Sequence, residues 1–208
     1  KPRKFRTESY AVKDSIRDHI VQWCGQTPTV DAFAEKVNRR FPKFWDKKTD
    51  ALTKNWYSEK FMWINAPWTE MQRVVEKIIM DQAKGVIIVP VWKDQPWFWS
   101  LGEVAVDWWD IDHDVSLFRT NEGETLPQRN WTTRVVLFDG FQPQDTPDGQ
   151  PPQNFADHGQ GFVDGKPYTE TQMRHLAALA DRTPSQSVDD LRNGLRARSI
   201  RSVIETND

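Results

Sequence analysis

Residues 61–91 constrain the fold more than any other stretch, because apolar patterns of different period follow one another within them. Phe61-Met62-Trp63-Ile64 is an apolar run of strand length, closed by the turn sequence Asn65-Ala66-Pro67-Trp68. Residues 70–82 then place Met71, Val74, Val75, Ile78 and Ile79 on one face of a helix. Thr69, with Gln72 three residues on, has the form of a capping box at its start. Gly85 opens Val86-Ile87-Ile88-Val89-Pro90-Val91, apolar throughout and β-branched, as a strand buried on both faces must be. Strand, helix, strand in that order predicts a βαβ unit: two parallel strands joined by a right-handed crossover. Ligands of such sheets bind beyond the carboxyl ends of the strands. With Thr29-Val30-Asp31-Ala32-Phe33 as a neighbouring strand, Asp31, Asn65 and Pro90-Val91-Trp92 are expected on one rim.

The remaining patterns surround this unit. Val12, Ile16, Ile20 and Trp23 recur at helical spacing and Gly25 and Pro28 stop the run, which predicts a helix over 12–23. Residues 34–45 are irregular enough for a loop or broken helix, 94–101 suit a short helix, and 103–108, 115–118 and 132–138 suit strands completing the sheet. Residues 141–167 are rich in Pro, Gly, Gln and Asp without periodicity, the signature of a linker or an extended strap. Helical patterns resume over 169–181 and 188–205, where Leu191, Leu195 and Val203 form a thin apolar stripe suited to packing on the core or to self-association. The expected division is a basic arm over 1–11, an α/β domain over 12–141, a linker or strap over 142–168 and a mostly helical tail over 169–208.

Composition excludes several classes. The net charge is −2, so any nucleic-acid contact must come from a local basic surface. Lys1, Arg3, Lys4 and Arg6 form one cluster; Arg39, Arg40, Lys43, Lys47 and Lys48 form another, interleaved with Phe41, Phe44 and Trp45 as on nucleic-acid surfaces. The single cysteine, Cys24, rules out an internal disulfide framework and suits a reducing, intracellular compartment, cytoplasmic or nuclear. No apolar run approaches the roughly 20 residues of a membrane span, so no membrane partner is expected. No metal site is expected: His113 lies in an acidic loop whose side chains diverge, and His19, His158 and His175 show no ligand spacing. Of the 11 tryptophans most must be core, Trp92, Trp97 and Trp99 included, although these three follow the strand end where a pocket should open.

Asn65-Ala66-Pro67-Trp68 is the segment best suited to chemistry. The Asn65 side-chain carbonyl and the Ala66 backbone carbonyl can each accept a hydrogen from an amine, Pro67 stiffens the turn, and Trp68 offers a stacking face. The plain alternative is a strand-to-helix turn in which Asn65 satisfies local backbone groups and Trp68 packs inward.

The wider pattern favours the first reading. Val30-Asp31-Ala32-Phe33-Ala34 followed by Asn38, Pro42 and Phe44, then Trp56 and residues 61–68, resemble in order the blocks of the phage-type (Dam-like) DNA adenine methyltransferases. Gly85-Val86-Ile87-Ile88-Val89-Pro90-Val91-Trp92 with Gln95-Pro96-Trp97-Phe98 looks closer still to a methyltransferase-like domain in polyproteins of DIRS-type tyrosine-recombinase retrotransposons. Ala66 stands where that family has the first proline of its Asn-Pro-Pro-aromatic motif. The resemblance implies a compact, truncated Rossmann-like methyltransferase sheet with flanking helices. It implies S-adenosylmethionine as cofactor, beside Asp31, Phe33, Asn38 and Pro90, and adenine in DNA as substrate, with Asn65, Ala66, Pro67 and Trp68 receiving the base. Arg39, Arg40, Lys43, Lys47 and Lys48 would then face DNA. A catalytically inactive descendant serving as a nucleic-acid-binding or assembly module is the alternative.

Overall fold

The computed structural model describes residues 10–111, 113, 115, 117–121, 123, 130–141, 155, 162–163 and 166–167. The N-terminal basic cluster, His158, His175 and the expected C-terminal helices with their self-association lie outside the described residues. In chain order the elements are β1 (Tyr10–Val12), α1 (Asp14–Cys24), β2 (Val30–Asp31), β3 (Met62–Ile64), α2 (Met71–Met80), β4 (Lys84–Pro90) and α3 (Pro96–Glu103). They continue with β5 (Ala105–Ile111), β6 (Phe118–Thr120), β7 (Thr133–Asp139), β8 (Phe162–Val163) and β9 (Lys166–Pro167).

A mixed five-stranded sheet in the order β2-β3-β4-β7-β5 forms the middle layer. β2, β3 and β4 are parallel, as the βαβ pattern predicts; β7 runs antiparallel to both β4 and β5. Alternation along β4 explains why its run is apolar throughout. Val86 and Ile88 pack with Trp63, Trp109 and the α1 residues Ile16, Ile20 and Trp23. Ile87 and Val89 pack with Met62, Ile64, the α2 residues Met71, Val74, Val75 and Ile78, and the α3 residues Phe98 and Leu101. Helices therefore cover both faces, and every β4 residue from Gly85 to Pro90 is buried on one side or the other.

Several expectations are corrected. The capping box does not form: Trp68–Glu70 is a 3-10 turn, and α2 begins at Met71 without a side-chain cap, because the turn already supplies the entry geometry. α2 ends at Met80, and Gln82 takes a left-handed conformation (φ 51°) that no continuing helix allows. Val12 belongs to β1 rather than to the helix, which starts at Asp14. The strand expected over 115–118 lies at Phe118–Thr120 and does not complete the sheet; it pairs antiparallel with β1 in a separate ribbon. The strand over 29–33 shortens to Val30–Asp31, since the chain then turns to place Phe44 beside Asp31 in a parallel bridge. Glu103 closes α3 instead of opening β5.

One charged pair is wholly inside. Arg134 of β7 lies opposite Asp110 of β5 and donates to both carboxylate oxygens, at 2.7 and 3.0 Å. Its third nitrogen donates to the Phe155 carbonyl. The Phe155 ring is fully buried against Phe98 and Trp108, so one residue of the Pro/Gly-rich stretch is a core residue.

Candidate functional site

β2 and β3 end within one residue of each other, since Asp31 pairs with Trp63, whereas β4 runs on past Ile87, the partner of Ile64, to Pro90 on the same side of the sheet. The rim so formed carries Asp31, the Asn65-Ala66-Pro67-Trp68 turn and Pro90, as expected from the sequence. The antiparallel β4–β7 register brings Thr133 opposite Pro90, and Val91 N–H donates to the Thr132 carbonyl. Trp131 thereby joins Trp92 at the same rim.

Asn65 is half-buried, and its carboxamide has no hydrogen-bond partner among the described residues. The Ala66 carbonyl accepts no turn or cap hydrogen bond among them, whereas the next carbonyl, that of Pro67, is taken by the amide of Glu70. Two adjacent acceptors are thus left unclaimed where a strand ends. A turn serving only to satisfy its own backbone would use the Asn65 side chain locally.

Trp68 is half-buried and packs edge-on to two other indoles, with ring centroids 4.8 Å from Trp131 and 5.7 Å from Trp92; Trp92 and Trp131 are 5.6 Å apart. The three rings form a closed aromatic corner beside Asn65. Trp131 Nε1 is buried without an acceptor among the described residues, a polar atom that a ligand with a lone pair can satisfy. Trp97 is core, and Trp99 donates its Nε1 to the Lys93 carbonyl. Sequence reasoning missed Trp131, because only the register of β7 against β4 places it here.

Asp31 is 2 % exposed. Its Oδ2 accepts the Arg40 amide at 2.8 Å, and burial pushes its carboxyl up to about 7 despite backbone donors from Arg40 and Phe33. Asn38 Oδ1 accepts the Glu35 amide at 2.7 Å. Both side chains therefore tie the loop after β2 back onto itself. Phe33 is half-buried with its ring edge-on to Trp56, and Pro90 is buried at the end of β4.

The second basic cluster divides. Arg39, Lys43, Lys47 and Lys48 are exposed, with Arg39 over the Phe44 ring and Lys43 paired with Glu59 and over the Trp45 ring. Arg40 turns inward to Asp14 at the start of α1.

No curated protein and no solved structure matches the chain significantly. A family model does: that of the DNA N-6-adenine-methyltransferases (Dam) matches residues 16–144, which is more than half of the chain and runs from α1 past the end of β7. The rim with its two free acceptors lies inside that match, and the chain belongs to the DNA N-6-adenine-methyltransferase (Dam) family.

Proposed function

We propose that this rim transfers a methyl group from S-adenosylmethionine to the exocyclic amine of adenine in DNA. The observation that carries the reading is the pair of unclaimed acceptors, the Asn65 carboxamide and the Ala66 carbonyl, at the end of a central parallel strand in a chain of this family. An amine held by two acceptors has its lone pair turned away from both and toward the donor. Because the reaction needs no covalent enzyme intermediate, catalysis is mainly positional. Asn65 and Ala66 orient the amine, Pro67 holds the turn, and the half-buried Trp68 supplies the wall against which an extruded base stacks. Since Trp68 packs on Trp92 and Trp131, a base enters by parting that corner rather than by filling an open slot.

S-adenosylmethionine, the family's usual cofactor, supplies an electrophilic methyl group when bound. The residues around β2 fit such a group chemically: a carboxylate with acceptor positions left over, a carboxamide, and an aromatic ring. Asp31, Phe33, Asn38 and Pro90 would line its place, and access to Asp31 requires residues 32–40 to part from the strand end, since the carboxylate is buried beneath them. The exposed Arg39, Lys43, Lys47 and Lys48 would meet DNA phosphates. The wording of residues 85–98 supports a retroelement polyprotein as the setting.

The closed loop at Asp31 favours one second reading, a descendant that binds nucleic acid without methylating it. A single assay separates the two: transfer of a labelled methyl group from S-adenosylmethionine to adenine-containing DNA. The wild-type chain is expected to transfer, and Asn65→Ala to lose on the order of 10²–10³-fold in kcat, the cost of removing one preorganised polar contact to the reacting group. Equal rates in both chains, or none in the wild type, would remove the catalytic reading.

A further inference from the structure

α1 runs from the rim to the base of the sheet. Its last turn leads through Gly25 to Thr29, whose amide bonds the Phe61 carbonyl just before β3. Its first turn therefore lies at the rim end, where the Lys13 amide bonds the Leu117 carbonyl beyond the end of β5. This N-terminus has no side-chain cap. Instead, two arginines from different parts of the chain converge on it: Arg40, from the loop that Asp31 ties down, and Arg119, from the β1–β6 ribbon.

Among the described residues the charges here do not balance. Arg17 is matched by Asp18, through contacts of 2.9 and 2.8 Å. Arg40 and Arg119 share a single carboxylate, Asp14, whose side chain is 63 % exposed and which Arg17 also approaches at 3.7 Å. The Arg40 side chain is only 5 % exposed, and both Arg40 Nε and Arg119 Nε are buried without a hydrogen-bond partner among the described residues. Burial and the neighbouring Arg119 push the Arg40 guanidinium down to about 10, so the two cations crowd each other. A buried, incompletely hydrogen-bonded guanidinium is costly unless an anion completes it. The positive end of α1 adds to the same excess.

We propose that the start of α1, with Arg40 and Arg119, is a phosphodiester-binding site that seats one backbone phosphate of the nucleic acid beside the methyl-acceptor rim. Asp14 holds the place of that anion and swings to solvent when it arrives. A phosphodiester carries one negative charge, which matches the one unpaired cation, and its oxygens suit the two free Nε donors. The inference rests on the reading of DNA as the substrate.

Binding of the full chain to an adenine-containing DNA duplex, followed by fluorescence anisotropy over a potassium chloride series, tests it. The half-exposed Arg119 is the safer position, and Arg119→Gln is expected to weaken binding about tenfold. The same variant should reduce the salt slope by about 0.9, whatever the DNA sequence, as expected for one lost phosphate contact. Asp14→Asn removes the competing carboxylate and is expected to tighten binding by about two- to fivefold. A purely structural role for the arginines predicts that Asp14→Asn leaves binding unchanged or weakens it. An unaltered salt slope in Arg119→Gln overturns the proposal, as does a site that inorganic phosphate stabilises thermally while the DNA slope stays the same. Methyl transfer measured in parallel keeps the two readings apart: transfer with an unchanged slope sinks this site alone, whereas a changed slope without transfer sinks the catalytic reading alone.

Discussion

Asp31 shows how one side chain can be legible as important and yet have its role decided by its surroundings. Its carboxyl is pushed from 3.8 up to about 7 by burial, against two backbone donors that favour the charged form. The unfolded chain ionises near 3.8, so between that value and about 7 the folded protein holds a proton that the unfolded one has released. Folding then takes up a proton, and this group's contribution to stability is full at low pH and is lost as pH rises through the window. Urea unfolding at a series of pH values should show it. The wild type is expected to lose up to about 4 kcal/mol relative to Asp31→Asn between pH 4 and 8; parallel profiles would show that the carboxyl does not titrate in this range.

At the scale of elements, the β3–β4 pairing that aligns the rim depends on Gly85. A Cβ there would stand 2.3 Å from the Met62 carbonyl oxygen, and backbone cannot yield as a flexible side chain would. Gly85→Ala should force β4 away from β3 at the register pair Met62–Gly85 and destabilise the fold by about 1–3 kcal/mol, measured by thermal melting. Its effect on methyl transfer should exceed its effect on stability, because Asn65 follows β3 directly. The helix after Asn65 teaches the complementary lesson. Of the apolar residues that the spacing put on one face of α2, Met71, Val74, Val75 and Ile78 are buried while Ile79 is exposed, and the capping signal at Thr69 is overridden. Burial of a helix face outweighs a cap of about 1 kcal/mol.

The whole molecule is tied together behind the rim. Phe155 fills the space against Gly102, where a Cβ would come within 2.6 Å of its ring, and its carbonyl completes the Arg134–Asp110 pair. Arg134 lies one residue from Thr133, which faces Pro90, and three from Trp131 of the aromatic corner. Phe155→Ala should cost about 3–5 kcal/mol in chemical denaturation, since it both opens a cavity and exposes a buried guanidinium. The expected secondary effect is a change in tryptophan fluorescence through the Trp131 segment. A loss below about 1 kcal/mol would mean that Phe155 is dispensable to the core.

Period and composition within a few dozen residues were enough to read the βαβ unit, its parallel strands and the rim bearing Asp31, Asn65 and Pro90, because local hydrophobic patterning dictates which faces are buried. The Asn65-Ala66-Pro67-Trp68 turn was legible for the same reason: it sits where one period stops and another begins. Long-range register escaped that reading. Trp131 reaches the corner through β7, Arg119 reaches α1 through β6, and Phe155 enters the core from a stretch with no apolar pattern around it. Such contacts join residues far apart in the chain, and only the folded backbone, by pairing strands that no local pattern pairs, decides which of them meet.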